Sequence, residues 1–134
     1  MIHRGKRKNG EWVYGYYVKA TQHWHKHGVH EDWIINSAMQ NGGWFNVSGR
    51  YAVDNVCEST RLRDKNNKAI FVDDIVKQDK NTWLVMFYRG SYRALNINNN
   101  DVIDLNIINE GSEIVGNIYD NKDWLAVGKW TTQD

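Results

Sequence analysis

The stretch GEWVYGYYVKA, residues 10–20, decides the fold class. Bulky side chains alternate along it, so that Trp12, Tyr14, Tyr16 and Val18 fall on one side of an extended chain and Val13, Gly15, Tyr17 and Lys19 on the other. A period of two marks a half-buried strand, because successive side chains of extended backbone point to opposite faces. The face carrying Trp12, Tyr14 and Tyr16 is read as the one that meets the core. Just ahead of it, Lys8-Asn9-Gly10 predicts a hairpin turn, Asn-Gly supplying the positive backbone angles a tight turn needs. A strand entering from His3 and Arg4 then pairs with it.

Outward from this hairpin the same alternation recurs and helical periodicity is nearly absent. Residues 20–32 are polar and His-rich and read as a loop. Strand-like runs follow at residues 33–37, 44–47 and 51–53, separated by Asn-Gly-Gly and Ser-Gly turns. Residues 61–68 carry five charges and read as an exposed turn. Ile70, Phe71 and Val72 lead through Asp73-Asp74 into a strand. TWLVMFY, residues 82–88, is apolar on both faces, which predicts a central strand with Val85 and Phe87, or their neighbours Leu84 and Met86, buried. Residues 92–97 form its return strand, residues 102–108 suit one helical turn or two, residues 113–119 form a last strand and residues 121–130 a tail element.

The expected fold is therefore mainly β: an N-terminal β-hairpin and sheet region, residues 1–69, packed with a C-terminal β subdomain, residues 70–134, as one compact unit. At 134 residues the chain has the size of one ordinary domain. A chain of this length buries enough surface to hold a core without disulfides, and the lone Cys57 is read as a buried small hydrophobe. No apolar run reaches membrane-spanning length, and the basic start MIHRGKRKNG lacks the apolar stretch of a signal peptide, which predicts a soluble cytoplasmic chain with no membrane partner. There is no proline, but there are 16 Asn, read as turn formers in its place.

Three constellations bear on chemistry. His23, His25 and His27, with His30, stand at spacings that place imidazoles on one face of an extended segment, as zinc or nickel ligands would require. The segment reads as a loop with only Glu31 and Asp32 nearby to orient the rings, so a solvated loop is preferred and no metal or other cofactor is expected. Asp73 and Asp74 are adjacent and suit turn hydrogen bonds better than paired acid–base work. No glycine-rich phosphate loop is present, and no enzyme is expected. The cluster Arg4, Lys6, Arg7 and Lys8, followed by Trp12, Tyr14 and Tyr16, has the composition of a nucleic-acid grip. Its other reading, an edge protected by cations, is favoured because the net charge is only +1 and the tyrosines share the expected core face.

Three blocks occur in order: RGKRKNGEWVYGYYVK (residues 4–19), LRDKNNKAIFVDDIVK (62–77) and EIVGNIYDN (113–121), with a weaker fourth, YAVDNVCEST (51–60). Together they cover about two-fifths of the chain and resemble the YopX-type proteins of bacteriophages and prophages. The resemblance implies a mostly β protein whose C-terminal part is a small, SH3-like barrel opened by a Gly-Asp-Ile-Val segment, with Asp73 in place of that glycine. Arg61 stands at another usual glycine, Asn67 replaces the glycine of an Asn-Gly turn, and the proline usual after Asp54 is absent. Asn tolerates left-handed backbone, so Asn67 is a mild departure, whereas Arg61 and Asp73 bear on how their turns can form. The resemblance carries no catalytic residues.

The function these readings imply is that of a phage or prophage accessory protein in the bacterial host cytoplasm, a non-catalytic protein-interaction module that self-associates and takes phage or host protein partners. Charge supports self-association: residues 1–30 hold six Lys or Arg against one acid, and residues 99–134 two against seven, so the two ends of neighbouring copies attract. The alternative is a nucleic-acid-binding protein using Arg4, Lys6, Arg7 and Lys8.

Overall fold

The computed structural model of the chain describes residues 2–19, 32–35 and 50–123. It is mainly β, with strands in two antiparallel sheets and, among the described residues, one short α-helix. The chain divides into two compact units, Met1–Glu58 and Ser59–Asp134. The strand run expected at 44–47 lies outside the described residues, as do the end of the run at 33–37 and the tail beyond residue 123.

In the first unit β1 (His3–Lys6) and β2 (Trp12–Lys19) form the expected hairpin, with Lys6 opposite Trp12 and Arg4 opposite Tyr14. β3 (Asp32–Ile35) pairs with β2, and β4 (Arg50–Ala52) with β3. The start of β5 (Asp54–Arg63) pairs with the other side of β1, giving the order β4-β3-β2-β1-β5. The hairpin turn closes with Gly10 N donating to Arg7 O at 2.8 Å, and Arg7 N donating to Glu11 O at 2.7 Å. Gly10 alone takes the positive angle, φ 92°, while Asn9 uses its side-chain oxygen to accept from Glu11 N.

The parity of β2 is the reverse of the expected one. Val13 is buried and joins Ile34 and Val53 in a core flanked by Tyr17, Tyr51 and Val56. Tyr14, Tyr16 and Val18 are 48%, 54% and 42% exposed. Alternation separates two faces but does not say which turns inward; that is settled by what the neighbouring strands offer. Gly5 stands opposite Val13 and leaves its space to Val53, and a Cβ on Gly5 would lie 2.5 Å from Val53 Cγ2. The aliphatic residues of β3 and β4–β5 therefore close on the Val13 side.

The second unit holds a five-stranded sheet in the order β10-β9-β8-β7-β11, from β7 (Asp74–Gln78), β8 (Asn81–Tyr88), β9 (Ser91–Asn96), β10 (Val102–Asp104) and β11 (Glu113–Asn117). β8 is the middle strand, as its two-sided apolar character requires. Val76, Trp83, Val85 and Ala94 pack on one side with Ile70, Leu105 and Ile108; Ile75 and Leu84 pack on the other with Ile97. The two-sided burial ends at Val85: Met86 is half-buried, and Phe87 is 52% exposed. Residues 102–108 resolve into β10 followed by one helical turn, α1 (Leu105–Ile108), which turns Leu105 and Ile108 inward.

The expected exposed turn at 61–68 is narrower than its charges suggest. β5 runs on to Arg63, and from Ser59 onward it pairs with β6 (Ala69–Phe71) through a bulge. Asp64 is only 5% exposed. Its carboxylate accepts the backbone N–H groups of Asn66 at 2.8 Å, Lys68 at 2.9 Å and Ile114 at 3.0 Å. A charged residue is tolerated in the interior here because backbone donors replace its water.

Candidate binding surface

Strand pairing places Arg4, Lys6, Trp12, Tyr14 and Tyr16 on one face of the β1–β2 hairpin, since opposed residues of an antiparallel pair share a side. The Arg4 guanidinium carbon lies 4.6 Å from the centre of the Trp12 ring and Lys6 Nζ 5.9 Å from it, so both cations are held over an aromatic face. Arg4 is buried and Lys6 half-buried, whereas the tyrosines beyond them are open to solvent. The result is an aromatic and apolar row, Tyr14, Tyr16 and Val18, with positive charge at one end.

The four cations of the N-terminal cluster do not form a single patch. Arg7 folds to the other side, its guanidinium carbon 4.9 Å from the Tyr51 ring centre and its Nη1 2.7 Å from Glu11 Oε1. Lys8 sits exposed at the turn. Beside that turn an open cleft of about 300 Å³ is lined by Arg7, Lys8, Asn9, Tyr51 and Ala52. The cleft could not be read from the sequence, because Tyr51 reaches it only through the pairing of β4 with β3; the basic run at residues 6–8 was its one visible signal.

The other candidates resolve into structural roles or fall outside the described residues. Asp74 Oδ2 accepts Phe71 N at 2.8 Å, and Asp73 Oδ2 accepts the Tyr119 hydroxyl at 2.6 Å, so each carboxylate serves the turn between β6 and β7. Cys57 is 2% exposed and its thiol donates to Asn55 O at 3.4 Å. His23, His25, His27 and His30 lie outside the described residues. Among the described residues, no group of three or more His, Cys, Asp or Glu is placed to hold a metal ion, and no helix is long and apolar enough to cross a membrane.

No curated protein matches the chain. A family model described as YopX protein matches residues 4–126, nearly the whole sequence and all four of the blocks noted above. The chain belongs to the YopX family.

Proposed function

We propose that this YopX-family chain is a phage or prophage accessory protein of the host cytoplasm, a non-catalytic interaction module that self-associates through the outer face of its N-terminal sheet. The observation that carries this reading is the exposed row Tyr14, Tyr16 and Val18, on a strand whose other side closes the core. Contiguous aromatic surface of this kind costs free energy in water and is the usual centre of a protein interface. Charge then steers the approach of copies while apolar burial supplies the affinity. Light scattering over a concentration series at low and high salt tests the reading. Oligomers that persist in salt are expected, and a monomer throughout would overturn it.

A second reading, nucleic-acid binding, is favoured by one observation: Arg4 and Lys6 stand on the same face as Trp12, Tyr14 and Tyr16. Cations beside a stacking row are what a single strand needs. A salt-steep shift of a labelled oligonucleotide, in place of self-association, would select it.

For the second unit we read an SH3-like arrangement. Support comes from the order of its elements, in which β7 to β10 run as a meander, a single helical turn follows, and β11 returns to pair with β7. Between β10 and β11 the sheet is open among the described residues.

A further inference from the structure

The geometry points to the cleft beside the β1–β2 turn as a binding site for a phosphate ester, the phosphate of a nucleotide unit, and this assignment is independent of which partner the sheet face takes. Of the residues that line the cleft, Arg7, Lys8 and Asn9 carry side-chain donors. Arg7 uses Nη1 on Glu11 and Asn9 uses its side-chain oxygen on Glu11 N. Among the described residues, the remaining guanidinium N–H groups of Arg7, the ammonium of Lys8 and the Asn9 amide nitrogen have no protein acceptor, and Lys8 and Asn9 are open to solvent. Arg7 and Lys8 bring two positive charges, of which Arg7 is paired with the Glu11 carboxylate.

Donors that the protein leaves to solvent suit a ligand that only accepts, and the directions matter. A planar guanidinium, a mobile ammonium and a neutral amide approaching from one turn can each take a different oxygen of a tetrahedral phosphate. A planar carboxylate offers fewer oxygens to such a set. The donors are held before any ligand arrives. Stacking on Tyr51 and the pair with Glu11 fix the Arg7 side chain, and the Gly10 turn fixes the backbone that carries Lys8 and Asn9. Pre-organisation of this kind removes part of the entropic cost of binding. A cleft of about 300 Å³ stands at the small end of ligand sites, which suits one nucleotide unit better than a folded partner.

Isothermal titration of the full chain with inorganic phosphate, thymidine monophosphate and a short 5′-phosphorylated oligothymidine tests this, with thymidine as the uncharged control. Saturable binding of at least one phosphate-bearing probe, and none of thymidine, is expected. Lys8→Glu is expected to weaken it about tenfold or more, as loss of a charge-assisted contact would. Asn9→Asp keeps the oxygen that Glu11 N needs and removes the amide donor, so it should weaken binding without opening the turn. Lys80→Glu, on an exposed turn of the second unit, should change nothing. Equal affinity for the monophosphate and the oligonucleotide assigns a free or terminal monoester, and tighter binding of the oligonucleotide assigns a strand; both support the site. Absence of saturable binding by every phosphate-bearing probe, thymidine binding as well as its monophosphate, wild-type affinity in Lys8→Glu, or the same loss in Lys80→Glu overturns it.

Discussion

Asp64 Oδ2 accepts the backbone N–H of Ile114 at 3.0 Å, tying the turn after β5 to the first residues of β11, fifty positions further along the chain. Burial on its own would raise this carboxyl, but the N–H groups of Ile114, Lys68 and Asn66, with the nearby Lys68 charge, outweigh it and hold Asp64 below its ordinary 3.8. The charged form is thus favoured by folding. Its contribution is complete above the unfolded-state value and is lost as pH falls through the lower folded value. Asp64→Asn should cost about 1.5–3 kcal/mol at neutral pH, the range for hydrogen bonds to a charged group. Urea unfolding at neutral and acid pH checks this: the gap between wild type and variant should narrow below about pH 4. A gap that persists unchanged in acid would show that charge is not what Asp64 contributes.

Arg61 and Asp73, two of the three side-chain-bearing residues at usual glycine positions, both adopt left-handed backbone, with φ 65° and 76°. So does Asn67, at φ 64°. For an L-residue other than Asn or Asp that conformation costs roughly 1–2 kcal/mol, part of which glycine gives back through its freer unfolded chain. Arg61→Gly should therefore raise stability by about 0.5–1 kcal/mol, read as a higher melting temperature. Asp73→Gly should show no such gain, because it also removes the acceptor of the Tyr119 hydroxyl.

These turns show how far the sequence can be read. The need for left-handed backbone at Arg61 and Asp73 was visible only as a departure from family pattern, since neither residue type signals it. The hairpin, the central place of β8 and the returning β11 were legible because period and turn chemistry are local. Which face of β2 turned inward was not, because it depends on Gly5 yielding space to Val53 across a strand pair. Asp64 was hidden for the same reason: a charge run normally marks solvent, and the donor that brings it inside belongs to Ile114.

β8 offers a contrast within one strand. Leu84 is 7% exposed and packs with Ile75 and Ile97, so Leu84→Ala should cost about 2–5 kcal/mol. Phe87 is 52% exposed and makes one edge contact with Tyr92, ring centres 5.1 Å apart, so Phe87→Ala should cost about 1 kcal/mol or less. Denaturant midpoints of the two variants give the comparison directly. Equal losses would place the end of the strand in the core.

Gly5 is a packing glycine. A methyl group there would sit 2.5 Å from Val53 Cγ2 and 2.6 Å from its Cβ, and Val53 is fully buried. Gly5→Ala should destabilise by about 1–3 kcal/mol, the usual range for overpacking. Combining it with Val53→Ala should recover part of that loss, because the second change removes the Cγ atoms that crowd the methyl and leaves only the Val53 Cβ contact at 2.6 Å. Losses that simply add would mean that the two positions do not compete for one volume.

The exposed tyrosines give the sharpest test of the proposed interface. Tyr14 and Tyr16 are about half exposed and lie on the side of β2 away from Val13, so Tyr14→Thr with Tyr16→Thr should leave the core intact. Threonine keeps the strand preference, and surface changes of this kind shift stability by about 0.5 kcal/mol each. If copies meet through this face, the double variant should remain folded yet lose oligomers in light scattering, at high salt as well as low, because buried aromatic area is not screened by ions. Lys8→Glu should instead slow assembly at low salt and matter little at high salt, since steering charges act over about 10 Å or less once salt is present. Reversal of Arg7 is a poor probe of steering, because its guanidinium also holds Glu11 and covers Tyr51. A folded double variant that assembles as wild type does would remove this face from the interface and leave the row of tyrosines to single-strand binding.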